Sequence, residues 1–262
     1  MKTAAGADFG QLLRAWRDHR RLSQLHLATV ASISTRHLSF VETGRSRPSR
    51  EMVLHLADAL EVPYRDRNAL LIAAGFAPIF RDVGYDSPEL QPLRQVLEVI
   101  LKGHEPHPAL VVDARWNVVA MNDASWMFAE GVAPHLLEPP MNVMRVSLHP
   151  DGLAKRIVNL DEFRVHVIQR LKRQADLTAD EQIVELLEEV TAYLPSEPDI
   201  THAAADAMVL PLRLATDRGI LNFISTITTF GAPLDVMPSE LAIEAFHPAD
   251  AETAAALGSP WI

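Results

Sequence analysis

Residues 32–50 read SISTRHLSFVETGRSRPSR and hold four arginines, Arg36, Arg45, Arg47 and Arg50, in a chain whose formal net charge is −10. The planar guanidinium fork pairs with the O6/N7 edge of guanine or with phosphate, so such a cluster offers recognition of a polyanion. Ser34 is placed as an N-cap, and Leu38 and Val41, three apart on the helix it starts, must turn inward. Thr35, Arg36, Ser39 and Phe40 then share the outer side of that helix, toward its N-terminal half. Arg36 is expected to make the bidentate guanine contact, with Thr35 or Phe40 touching a thymine methyl. Gln24, just after the Ser23 cap of the preceding helix, is expected to bond phosphate. Arg45, Arg47 and Arg50 flank the reader as charges that position it on the backbone. Ser34 and Thr43, at the two ends of the helix, complete the candidate DNA-binding set.

These residues need a frame. The chain has 262 residues, 48% hydrophobic and 22% charged, enough for two globular domains with real cores. There is no cysteine, which excludes a disulfide framework and thiolate zinc sites and fits a reducing cytoplasm. No apolar run is long enough for a membrane span, and the first residues do not read as a signal peptide. Residues 1–82 carry 12 Lys/Arg against 8 Asp/Glu, leaving 12 bases and 26 acids for the rest, so the basic front is the part suited to a polyanion.

Helical periodicity and caps predict five short helices between residues 8 and 75. Phe9, Leu12, Leu13 and Trp16 supply the apolar face of the first. Leu25, Leu27, Ala28 and Val30 do so for the second, and Met52, Val53, Leu56 and Leu60 for the fourth. Residues 77–88, with two prolines and a glycine, read as a linker. A helix follows with Leu93, Val96, Leu97 and Ile100 on one side. ALVVDARWNVVAMN reads as a hairpin turning at 113–117, and a second β-rich pair turns at 217–219. LAIEAFHP is a candidate fifth strand. Helices are expected at DASWMFAE, at NVMRVSLH, from about Leu160 to Gln174, and at ADEQIVELLEEVTAYL, making the back part α+β.

LSQLHLATVASISTRHLSFVETGRSRPSR resembles the XRE-type, phage-repressor-like helix-turn-helix, with Ser23-Gln24, Ala28, Leu38-Ser39, Val41-Glu42 and Gly44 at the family's intervals. Ser32 departs from it, standing where these domains usually have a turn glycine. The resemblance, over about residues 8–75, implies DNA binding and an ion pair between Arg17 and Glu42. RNALLIAAGFAP, HPALVVDARWNVVAMNDAS, SLHPDGLAKRIVN and TTFGAPLDVMPSELAIEAFHPAD resemble the MmyB-like transcription regulators. These join an XRE head to a PAS-like domain that takes a fatty-acid-type ligand. That resemblance implies a five-stranded antiparallel sheet with helices over one face and the ligand between them. The expected architecture is therefore multidomain: an all-α five-helix head over 1–76, a linker over 77–88, and an α+β PAS-like domain over 89–262.

The residues are compatible with such a pocket. Trp126, Met127, Phe128, Met141, Val143, Met144 and Leu148 crowd one stretch, Phe163, Val167, Ile168 and Leu171 share a helix face, and Phe223 and Ile224 come from the second hairpin. Flexible methionine and aromatic walls suit a small apolar ligand, although each residue would serve equally as core. A carboxylate head needs a cation or donors, and Arg145 is expected to supply it, with Asn142 and His149 on the same helix face. His104 and His107 have no third partner nearby, so no metal is expected. Nor does any nucleophile triad or glycine-rich phosphate loop appear, so no enzyme is expected. The sequence reads as a cytoplasmic, sequence-specific regulator. It binds double-stranded DNA as a homodimer, without contact to a membrane. It takes no cofactor beyond a bound fatty acid or similar lipid. The alternative is a back domain that serves dimerisation or protein interaction alone.

Overall fold

The computed structural model describes residues 8–193, 210–231, 233 and 235–261. These fall into two units, the first made of the chain up to Asp82 together with Arg173–Glu181 and Pro233–Ser239.

In the first unit, side-chain caps start four helices where the sequence has a short polar residue before an apolar run. Asp8 accepts from the Gln11 N–H ahead of α1 (Phe9–His19), Ser23 from His26 ahead of α2 (Gln24–Val30), Ser34 from His37 ahead of α3 (Thr35–Glu42), and Ser49 from Met52 ahead of α4 (Arg50–Ala59). Helix α5 (Tyr64–Ala73) follows Pro63. Their inner faces meet in one core in which Leu13, Leu27, Leu38, Leu56 and Leu71 are fully buried. Between α2 and α3, Ser32 takes φ +51°, the left-handed conformation that favours glycine. A serine there costs about 1 kcal/mol. It is held because Ser32 N–H donates to Thr29 and Ile33 N–H to Ala28. Gly10 is needed for another reason: a Cβ there would lie 2.4 Å from the carbonyl oxygen of Glu42, so α1 touches α3 backbone to backbone. On α2 only Leu27 and Ala28 turn inward. Leu25 and Val30, expected as apolar surface for the bundle, are 66% and 52% exposed because they sit on the far side of this two-turn helix.

This unit outruns the predicted head. Asn68, buried in the middle of α5, receives Ile79 and Phe80 N–H on its Oδ1, and its Nδ2 donates to the Phe80 carbonyl at 2.6 Å. Phe80 stacks on Tyr64 at 4.2 Å. The first residues of the expected linker are therefore bonded to the head rather than free. Remote segments join them: Arg81 N–H donates to Asp235 Oδ1, and Arg20 Nη1 donates to the Asp176 carbonyl at 3.3 Å.

The second unit begins at Val83 with α6 (Gln91–Gly103). Leu97 and Leu101 are its buried residues, whereas Val96 and Ile100, expected on the inner face, are exposed along with Val99. Strands β1 (Ala109–Val112) and β2 (Val118–Met121) form the first hairpin. The connection from β2 to β3 carries a 3₁₀ run over Asp123–Phe128, then α7 (Pro134–Leu137), α8 (Val143–Leu148), α9 (Leu160–Thr178) and α10 (Glu181–Ala192). Residues of α9 are shared out, those up to Lys172 belonging to the second unit and the remainder to the first. Strands β3 (Leu212–Thr216) and β4 (Gly219–Thr229) form the second hairpin, and β5 (Ala242–Pro248) lies between the two. The sheet is antiparallel throughout, in the order β2-β1-β5-β4-β3. The expected head of five helices and five-stranded antiparallel sheet are both present.

Candidate functional site

In the first unit, Leu38 and Val41 are sealed into the core, while Arg36, Thr43, Arg45, Arg47 and Arg50 are exposed. Thr35, Ser39 and Phe40 are half-buried on the same outward side. Phe40 has two guanidiniums against its ring, Arg36 at 5.3 Å and Arg45 at 5.9 Å from the ring centre. These cation–π contacts keep both heads near one ring without neutralising them. The outer edge of α3 thus keeps its positive charge.

Behind that edge sits Glu42, buried. Arg17 reaches it with Nε to Oε1 at 2.7 Å and Nη2 to Oε2 at 3.2 Å, and Gln24 donates Nε2 to Oε2 at 2.7 Å. The hydrogen bond to Glu42 raises the pKa of Arg17 further, against its burial. One carboxylate therefore ties α1 and α2 to α3. Gln24, expected to bond phosphate, commits its amide N–H to this internal contact. The Ser34 oxygen is occupied as a cap, and Thr43 donates its hydroxyl to the Ser39 carbonyl at 2.7 Å.

In the second unit the sheet and the helices crossing it line a cavity of about 90 Å³ that opens to solvent. Leu110, Leu212 and Phe246 line the sheet side; Phe128, Val143 and Met144 line the opposite side. From α9, Phe163, His166, Val167 and Arg170 all face in, spaced i, i+3, i+4, i+7 as one stripe demands. Of the residues expected here, Trp126, Met141, Met144, Phe163 and Val167 are brought together around the cavity. Trp126 is 57% exposed and so stands at the mouth.

The others are placed elsewhere. Leu148 is core. Phe223 packs edge-on against Phe128, 5.9 Å away, and does not line the cavity. Met127 does not line it either. Asn142 is a structural cap: its Oδ1 accepts from Met144 N–H, and its Nδ2 donates to the Arg115 carbonyl. Arg145, expected to hold a carboxylate head, is clamped by Glu189 of α10, with Nε–Oε1 and Nη2–Oε2 both 2.8 Å. Tyr193 also bonds Glu189, and burial with that bond pushes its phenol up to about 12. His149 takes the Asp151 N–H on its Nδ1 and packs its ring on Tyr193. A cation beside methionines on a six-residue helix does not by itself disclose which way it points.

The polar residues that do line the cavity were missed: Ser125, Ser147, His166, Arg170, Ser225 and Glu244. Two signals for them were available. Arg170 falls on the Phe163–Val167 stripe, and Glu244 interrupts the apolar run from Ala242 to Phe246. His104 and His107, set aside as metal ligands, contact the Phe246 carbonyl and the Ser259 hydroxyl. Among the described residues no three acidic or histidine side chains group as a metal site.

A family model described as "MmyB-like transcription regulator ligand binding domain" matches residues 93–259, and one described as "Helix-turn-helix domain" matches residues 8–70. The HTH-type transcriptional repressor RghR of Bacillus subtilis (strain 168) is 38% identical over 69 residues, covering 26% of this chain and 49% of its own length. The uncharacterized HTH-type transcriptional regulator RghRB of the same organism is 28% identical over 117 residues, 44% of this chain and 82% of its own length. The chain thus spans about half the length of the first relative. A solved structure described as an RNA-binding Light-Oxygen-Voltage receptor aligns with 94% of this chain and 60% of its own, at 14% identity and a TM-score of 0.27, a likeness too slight to inform fold or function.

Proposed function

This chain belongs to the MmyB-like transcription regulators that carry this ligand-binding domain, and we propose that it is a DNA-binding regulator answering to a small apolar, fatty-acid-like molecule. The single observation that carries the reading is the outward edge of α3, where Arg36 and Arg45 stay exposed and charged around Phe40 while Leu38 and Val41 are sealed beneath. That is the face a second helix of a helix-turn-helix presents to the major groove. Arg36 reads guanine, Thr35, Ser39 and Phe40 meet neighbouring base edges, and Arg45, Arg47 and Arg50 meet phosphates.

The ligand half rests on the cavity, whose largely apolar walls with a few convergent polar groups are those of a small-molecule site. Met141, Met144, Phe163 and Val167 hold the hydrocarbon, with Trp126 at the opening. No helix among the described residues is long and apolar enough to cross a membrane, in keeping with work in the cytoplasm, where the DNA is. A homodimer suits a two-fold operator, because one head reads few bases. Exposed Val96, Val99 and Ile100, on one face of α6, offer an apolar surface to a second copy. By linkage, a ligand that changes DNA affinity must itself bind one DNA-binding state more tightly.

Selection from a random duplex library with the purified full chain tests this. The expected result is enrichment of a two-fold site whose affinity shifts at least about fivefold, the low end of ordinary coupling, when a mid-chain amphiphile is added. No enrichment would overturn the DNA half, and an affinity indifferent to every amphiphile that binds would overturn the coupling.

A further inference from the structure

Glu244 stands in the middle of β5 between Ile243 and Ala245, opposite Leu110 on β1 and Ile227 on β4, and is only 5% exposed. Its side chain and that of Phe246, two residues on, both face the cavity. Arg170 Nη1 lies 3.4 Å from its Oε1, longer than the 2.7–2.9 Å typical of a tight charge-assisted bond. The Arg170 guanidinium also lies over the Trp116 ring at 5.3 Å and within 3.2 Å of His166 Nε2. Ser225, on the neighbouring strand, lines the same end. Burial raises the carboxyl pKa of Glu244, opposed by the charge of Arg170 and by hydrogen bonds from Arg170 and Ser225. The apolar cavity therefore has one polar corner, in which Arg170 and Glu244 form a loosely joined ion pair.

What that corner accepts follows from charge. A carboxylate head entering it meets one cation and one buried anion, and leaves a net negative charge in an apolar enclosure, which is costly. An uncharged head that both donates and accepts adds no charge and completes the loose pair from both sides. Resting on the ligand-binding reading above, we propose that the cavity selects amphiphiles with an uncharged hydrogen-bonding head, a hydroxyl or primary amide, over the matching carboxylates. Glu244 accepts from that head and Arg170 donates to it. Glu244 is then the residue that rejects the fatty-acid anion, specificity by an unfavourable charge as much as by a favourable contact.

Calorimetric titration of the full chain with dodecanol, dodecanamide and laurate, each below its aggregation threshold at neutral pH, tests the proposal. The wild-type chain is expected to bind dodecanol and dodecanamide at least about tenfold more tightly than laurate. Glu244→Gln keeps the size and removes the negative charge, and should strengthen laurate by about tenfold while leaving dodecanol nearly unchanged. Laurate binding as tightly as dodecanol to the wild type overturns the proposal while leaving the ligand-binding reading intact. A selectivity unchanged by Glu244→Gln overturns it equally. If none of the three binds, the ligand-binding reading fails and the proposal with it. The wild-type ratio decides the matter even should the variant fail to fold.

Discussion

Single side chains in this molecule divide cleanly into those that hold the frame and those left free to act. Glu42 belongs to the first kind: three donors converge on it from Arg17 and Gln24. Truncating one partner of a buried pair strands the other, so Glu42→Ala should lower the stability of the first unit by about 3 kcal/mol, read in urea denaturation of the full chain. The Arg17–Glu42 pair was implied by resemblance before it was seen, whereas the turn of Gln24 toward the same carboxylate was not. An amide at a helix start has several donors within reach, and sequence does not rank them. His107 and His247 give a second prediction. Burial, then the neighbouring His104 charge, lowers both below the ordinary 6.5. The unfolded chain therefore takes up protons first as pH falls. Stability that is complete above about pH 6.5 declines beneath it. Melting temperatures between pH 7.5 and 5.5 should fall, and His247→Gln should flatten that fall.

At the scale of elements, close approach and clamping matter more than propensity. Helices α1 and α3 meet at Gly10, where a methyl group would strike the Glu42 carbonyl. Gly10→Ala should therefore destabilise the head by about 1–3 kcal/mol, despite alanine's higher helix propensity, in the same denaturation measurement. Arg145 joins α8 to α10 through Glu189, and both side chains are more than a third exposed. Arg145→Ala should thus cost less than about 1 kcal/mol of stability and leave amphiphile affinity unchanged in a titration. The elements themselves were largely legible: caps and apolar periodicity located the five head helices, and the two hairpins and β5 fell where alternation and turn residues put them. What periodicity could not reveal was assembly. Val96 and Ile100 fit an inward stripe on α6 as well as Leu97 does, and only the packed neighbours decide which edge is buried. Asn68 likewise gave no sign that it would bond the chain beyond residue 76.

For the whole molecule, a basic head and an acidic ligand domain share one chain, and the family to which it belongs joins those parts. The apolar walls of the cavity were legible because methionines and aromatics cluster in the sequence. Its polar corner was not, because Arg170 and Glu244 lie 74 positions apart and meet only through the fold. The proposed pairing through α6 predicts that Val99→Glu lowers the mass of the full chain in light scattering to that of a monomer, and an unchanged mass would contradict that pairing. The most direct test of the account concerns Arg36. On a duplex recovered by selection, Arg36→Ala should weaken binding in an anisotropy titration by about 1–3 kcal/mol, and much less on a scrambled duplex of equal length. Equal loss on both duplexes, or none on either, would contradict the claim that α3 reads base edges through this residue.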